Sequence, residues 1–111
     1  MDDLKKKECQ ACKAGAPLVT PEEIAKYMDQ IPLWELLTVN GINRLQRAYK
    51  FQDFAEALSF TNRIGKIAED VGHHPAILTE WGKVTVTWWS HKIKGLHLND
   101  FIMASRTDSL I

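Results

Sequence analysis

Residues 69–91 read EDVGHHPAILTEWGKVTVTWWSH, and the reading of this stretch decides the fold. Glu69 to Val71 close a long periodic apolar run. Gly72 can take the left-handed conformation that caps a helix C-terminus. Pro75 lacks the backbone N–H and the room that another helical turn needs. A helix therefore ends here, and the His73-His74 pair sits in a tight helix-to-strand turn. Beyond it, Ala76 to Trp81 read as a strand, with Gly82-Lys83 part of a turn. Val84, Val86 and Trp88 alternate with Thr85, Thr87 and Trp89, a period of two that marks the second strand of a hairpin.

Working back, Asp53 with Glu56 makes an N-terminal cap for a helix over Phe54 to Val71. At 100° per residue, Phe54, Ala57, Leu58, Phe60, Ile64, Gly65, Ile67, Ala68 and Val71 share one half of its wheel. That sector is wider than the stripe of about 100° that packing on one sheet needs. Deep burial and contact with another subunit explain it equally well.

Further upstream, Thr20, Pro21 and Glu23 predict a capped helix to about Gln30, ended by Pro32. Trp34 to Val39 form a strand, Asn40-Gly41 the preferred two-residue hairpin turn, and Ile42 to about Phe51 its partner. In that partner Leu45, Tyr49 and Phe51 face one way and Arg44, Gln46 and Lys50 the other, so one face of the sheet is covered. Downstream, residues 92–98 read as a loop with His97 on the surface. Asn99 and Asp100 open a last helix to about Thr107. The order is α-β-β-α-β-β-α. It predicts an α+β fold, a four-stranded antiparallel sheet with three helices on one face. Residues 1–19 read as a loosely ordered leader, and 20–111 as one domain.

A length of 111 residues allows one domain and excludes two ordinary ones. The formal net charge of zero argues against a general binder of nucleic acid or anionic membranes, which needs a basic excess. Lys5-Lys6-Lys7 reads as solvated tail. No apolar run is long enough to span a bilayer. Met1-Asp2-Asp3-Leu4-Lys5 lacks a signal peptide's apolar core, so a cytoplasmic location is expected. Cys9 and Cys12 have the Cys-x-x-Cys spacing of half a zinc site, but the chain holds no further cysteines to complete a Cys₄ site. Two reduced thiols are the expectation.

Three of the four histidines fall within 19 residues. The hairpin brings the start of its first strand, with His73 and His74, to the end of its second, with His91. All three then converge at one edge of the sheet. Three readings follow. Imidazoles both give and take protons near neutral pH, so the set can serve both ends of an elimination. Glu69, His73 and His91 could instead hold a metal as two histidines and a carboxylate. Adjacent histidines diverge on an extended chain, which argues against His73 and His74 sharing one ion. The third reading is structural. It is the better one for a single histidine; for three that converge, catalysis is the stronger.

Glu69-x-x-x-His73-His74-Pro75, Trp81, His91 and Asp100 together resemble the signature of the pterin-4a-carbinolamine dehydratases. The likeness covers residues 20–108 and is closest to bacterial members, which also tend to carry a Cys-x-x-Cys leader. It implies a lyase that removes water from 4a-hydroxytetrahydrobiopterin, giving quinonoid dihydropterin. That step recycles the tetrahydropterin of aromatic amino-acid (phenylalanine) hydroxylases, with no metal or organic cofactor. By the same resemblance His73, His74 and His91 are catalytic, with His74 and His91 the main acid–base pair. Glu69 meets the pterin's amino-pyrimidine edge, Trp34 lines the pocket wall, and Pro75 shapes the turn. Trp81, which also reads as a core residue, and Asp100, at a helix start, are structural positions of the motif. Gly72 and Ile93 depart from animal members, which carry Asp and Cys there.

Animal members also serve as dimerisation cofactors for a homeodomain transcription factor through a helical surface. The resemblance therefore implies a homodimer or homotetramer. It also keeps an alternative in view, an oligomerisation or regulatory module acting through the long helix.

Overall fold

The computed structural model describes residues 18–111. Cys9, Cys12 and Lys5-Lys6-Lys7 lie outside the described residues.

Local signals set each boundary. In α1 (Pro21–Met28) the Thr20 side chain accepts the Glu23 N–H and the Glu23 carboxylate accepts the Thr20 N–H, completing the expected capping box. The helix ends at Met28, sooner than expected, because the chain tightens ahead of Pro32. The N–H groups of Gln30 and Ile31 turn back to the carbonyls of Tyr27 and Met28. β1 (Glu35–Val39) and β2 (Ile42–Lys50) are joined through Asn40 at φ 52° and Gly41 at φ 77°, the paired left-handed conformations of a type I′ turn. α2 (Phe54–Val71) begins where the Asp53 carboxylate accepts the Glu56 N–H at 2.8 Å.

β3 (Ala76–Glu80) and β4 (Lys83–Trp88) form the second hairpin. Its turn is Trp81-Gly82, one residue ahead of the expected one. Gly82 adopts φ 72°, and a Cβ there would lie 3.1 Å from the Phe51 carbonyl oxygen. Trp81 therefore lies in the turn, not the strand, and is 75% exposed. This corrects its reading as a core residue.

The sheet order is β1-β2-β4-β3, with every pair antiparallel. Leu45 lies opposite Trp88 and Tyr49 opposite Val84. Those side chains, with Val86, face the helices. Against them pack Tyr27 and Ile31 from the α1 region, Ala57, Phe60, Ile64 and Ala68 of α2, and Phe101 to Ala104 of α3 (Leu98–Asp108). Each large side chain buried there contributes roughly 1.5–3 kcal/mol.

The inner stripe of α2 is narrower than its apolar wheel. Ile67 and Val71 are half-buried, while Phe54 and Leu58 remain 46% and 44% exposed. Deep burial therefore does not account for the whole apolar sector.

Candidate active site

Four elements meet at one edge of the fold. α2 ends in a left-handed residue, Gly72, at φ 67° and ψ 28°. The Gly72 N–H turns to the Ala68 and Glu69 carbonyls, and the His73 N–H reaches the Ala68 carbonyl. This Schellman-type closure fixes where both histidines emerge.

His73 turns inward and is 5% exposed. Its ring stacks on Trp88 of β4, with centroids 5.4 Å apart. Its Nε2 lies 2.7 Å from Oδ1 of Asp100, which is wholly buried at the start of α3. The other Asp100 oxygen accepts the Ser90 hydroxyl at 2.7 Å and the His97 backbone N–H at 2.9 Å. With the carboxylate ionised, Asp100 only accepts, and His73 then presents its Nε2 proton to it.

His74 turns outward and bonds through Nε2 to Glu69 Oε2. The left-handed cap redirects the chain, so Glu69 meets His74, five residues on, rather than His73, four residues on. The alternative grouping of Glu69 with His73 and His91 as metal ligands is not formed, because Glu69 pairs with His74. Among the described residues no three His, Cys, Asp or Glu side chains are arranged to hold a metal ion.

His91 follows Ser90 on a tight loop. That loop is closed by backbone bonds between Ser90 and Gly95, at 2.8 Å and 3.3 Å. The His91 ring stacks on Trp89 at 4.3 Å. Gly72, His73, His74, His91 and Lys92 line one open hollow of about 320 Å³. That is within the size range of small-molecule sites. A larger hollow of about 430 Å³ lies on the outer face of α2, lined by Leu58, Asn62, Arg63 and Lys66 among others, and offers no histidine. Chemistry, not size, singles out the smaller one.

Two expected site residues lie elsewhere. Trp34 is buried against Tyr49 and donates its indole N–H to the Asp108 carboxylate at 3.0 Å. Asp108 is eight residues along α3 from Asp100, about 12 Å at 1.5 Å per residue. Trp81 sits at the far end of β3. Arg47 and the Tyr49 hydroxyl also bond to Asp108. Burial first, then Asp108, raises the Tyr49 phenol far above the usual tyrosine pKa, against the opposing effect of Arg47. Pro75 is half-buried between His74 and β3, where it ends the turn.

His97 is not a surface loop residue. It is buried as the N-cap of α3, where its Nδ1 accepts the Asn99 N–H at 3.1 Å. Histidine is outside the usual N-cap set, so the pattern gave little warning. Sequence reasoning also missed Ser90 as an anchor of Asp100 and Lys92 as part of the lining.

The sequence pattern described as "Pterin 4 alpha carbinolamine dehydratase" matches residues 17–110. The chain belongs to the pterin-4a-carbinolamine dehydratase family. A protein of Syntrophotalea carbinolica, assigned the name pterin-4-alpha-carbinolamine dehydratase, is 60% identical over 111 residues, all of this chain and 99% of its own. A Nitrosococcus oceani protein of the same assigned name is 59% identical, covering all of this chain and 98% of its own. As a member of this family the chain is a hydro-lyase, a pterin-4a-carbinolamine dehydratase in activity.

The fold agrees with that membership. The crystal structure of a transcriptional coactivator/pterin dehydratase from Brucella melitensis superposes with a TM-score of 0.76 at 26% identity, covering 85% of this chain and 98% of that one. A pterin dehydratase-like protein identified as a RuBisCO assembly factor in the alpha-carboxysome shares the fold, with a TM-score of 0.59 at 22% identity. That match covers 69% of this chain and 87% of the other.

Proposed function

We propose that this dehydratase works by histidine acid–base catalysis, with His74 and His91 as the proton carriers. The observation that carries the reading is the shared hollow: three imidazoles line it, two of them backed by carboxylates. The substrate is 4a-hydroxytetrahydrobiopterin or a close pterin carbinolamine. One imidazole delivers a proton to the hydroxyl on carbon 4a as the C–O bond breaks. Another takes the proton from a ring nitrogen, whose electrons complete the new double bond. One proton is given and one taken, so the products are quinonoid dihydropterin and water, with no net change in charge.

Position divides the roles. His73 is buried, stacked and tied to Asp100, which suits holding substrate and assisting. His74 and His91 are exposed at the mouth, where protons exchange with solvent. Glu69 holds His74 through one oxygen and offers the other to the pterin's amino-pyrimidine edge. No step requires a metal or an organic cofactor.

The physiological reading follows from the reaction. The enzyme returns the tetrahydropterin of an aromatic amino-acid hydroxylase, such as phenylalanine hydroxylase, in the cytoplasm. Its partner is then a small pterin rather than nucleic acid or membrane. No helix among the described residues is long and apolar enough to cross a bilayer. The uncovered Phe54 and Leu58 on α2 favour self-association as a dimer or tetramer through that helix.

The deciding experiment follows the absorbance decay of freshly generated carbinolamine with purified protein. His74→Ala and His91→Ala should each lower turnover by on the order of 10²-fold, the usual worth of an acid–base group. Undiminished turnover in both would remove the histidine mechanism.

A further inference from the structure

His91 differs from its two neighbours. His73 has Asp100 and His74 has Glu69, but among the described residues His91 has no carboxylate partner. Its backbone is fixed, because it follows Ser90, which bonds to Gly95 and Asp100. Its ring is not held by any of those bonds. What holds the ring is Trp89, stacked at 4.3 Å with the planes 29° apart.

The arrangement follows from strand geometry. Side chains alternate between the faces of a sheet, so Trp88 and Trp89 point to opposite sides. Trp88 faces the helices and lies under His73. Trp89 faces the open side, and His91, two residues on, falls on that same side. The tryptophan pair thus supplies one shelf for each of two histidines at the same edge.

Trp89 is itself held from β2. Leu45 pairs with Trp88, which sets Arg44 beside Trp89 on the open face. The Arg44 guanidinium lies 4.1 Å from the Trp89 ring centroid, well inside cation–π range. Among the described residues the buried Arg44 Nε has no hydrogen-bond partner, and the ring contact is the interaction found for this guanidinium.

We propose that Trp89, braced by Arg44, is a positioning residue that sets the His91 imidazole toward the hollow. This rests on the reading of His91 as a proton carrier. Misplacing a reacting group by about 1 Å can cost on the order of 10²-fold in rate. A loosened but still present imidazole should lose less than that.

The test is a double-mutant cycle in the dehydratase assay, on variants whose melting temperatures match the parent's. Trp89→Leu should lower kcat roughly 10-fold with KM nearly unchanged, and Trp89→Phe should recover most of the loss, because a ring again supports the imidazole. In a His91→Ala background, Trp89→Leu should cost nothing further. A merely structural tryptophan would instead cost the same in both backgrounds, and that result overturns the proposal. If Trp89→Leu fails to fold, Arg44→Gln runs the same cycle on a smaller scale. A readout independent of activity is the NMR shift of the His91 ring protons, which should lose the indole ring-current displacement in Trp89→Leu. An unmoved shift also overturns the proposal. If His91→Ala retains full turnover, the catalytic reading of His91 fails, and the NMR shift alone decides whether Trp89 orients it.

Discussion

His73 and Asp100, 27 residues apart in the chain, meet through a 2.7 Å bond in the interior, where Asp100 is fully buried. The pair joins the end of α2 to the start of α3. Asp100 also receives Ser90 and the His97 N–H, so one carboxylate organises three segments of the site. Asp100→Asn should replace an acceptor-only group with one that also donates. One of the three donors then loses its partner, and the fixed tautomer of His73 is released. We expect a stability loss of about 1–3 kcal/mol in urea titration, the usual cost of an unsatisfied buried group. In the proposed mechanism, where His73 assists, turnover should fall at least about 10-fold. Parent-like stability and activity together would show that the bond does neither job.

Gly72 sets the exit angle of both histidines, yet among the described residues a Cβ there meets nothing within 4 Å. The cost of replacing it is therefore backbone conformation alone. Gly72→Ala should destabilise by about 1–2 kcal/mol, the penalty for a left-handed L-residue. Gly72→Asn should be milder, because asparagine tolerates that region. Melting temperatures in the order Gly, Asn, Ala check this. Equal temperatures for all three would mean that the turn relaxes out of the left-handed region.

Most of the fold was legible because its boundary signals are local. The Thr20–Glu23 box, the Asn40-Gly41 turn, the Asp53 cap and the Gly72 stop each act over a few residues, and each is formed as the sequence predicts. The Trp81-Gly82 turn was misplaced by one residue because the close approach of Phe51, not local preference, fixes the glycine. In the site, convergence of the histidines followed from the hairpin. Their partners did not: Glu69 changes from His73 to His74 through a left-handed cap, and Asp100 reaches His73 through the packing of α3. Trp34 joins Asp108 across 74 residues, a contact that no periodicity encodes.

The Glu69–His74 bond lies in solvent, so it should matter to chemistry more than to stability. Exposed pairs of this kind contribute little to folding. Glu69→Gln should leave the melting temperature nearly unchanged. An amide can donate as well as accept, so it no longer dictates which His74 nitrogen carries the proton. Turnover should fall several-fold, to roughly a tenth, a fraction of a full acid–base contribution. A pronounced drop in melting temperature with unchanged turnover would assign the pair to the fold instead.

Tyr49 supplies a test at alkaline pH. Its folded-state pKa is raised, chiefly by burial and then by Asp108, while the unfolded chain has the usual tyrosine value of about 10. Below that value the phenol is protonated in both states, and its contribution to stability is fully present. As pH rises past it, the unfolded state loses a proton that the folded state keeps, so stability falls with increasing pH. Tyr49→Phe removes this proton from both states. The variant should lose stability at neutral pH, where the Tyr49–Asp108 bond is gone, and should decline less steeply than the parent above about pH 10. Urea midpoints across that range provide the comparison. Parallel declines in the two proteins would show that Tyr49 ionises as readily in the folded chain as in the unfolded one.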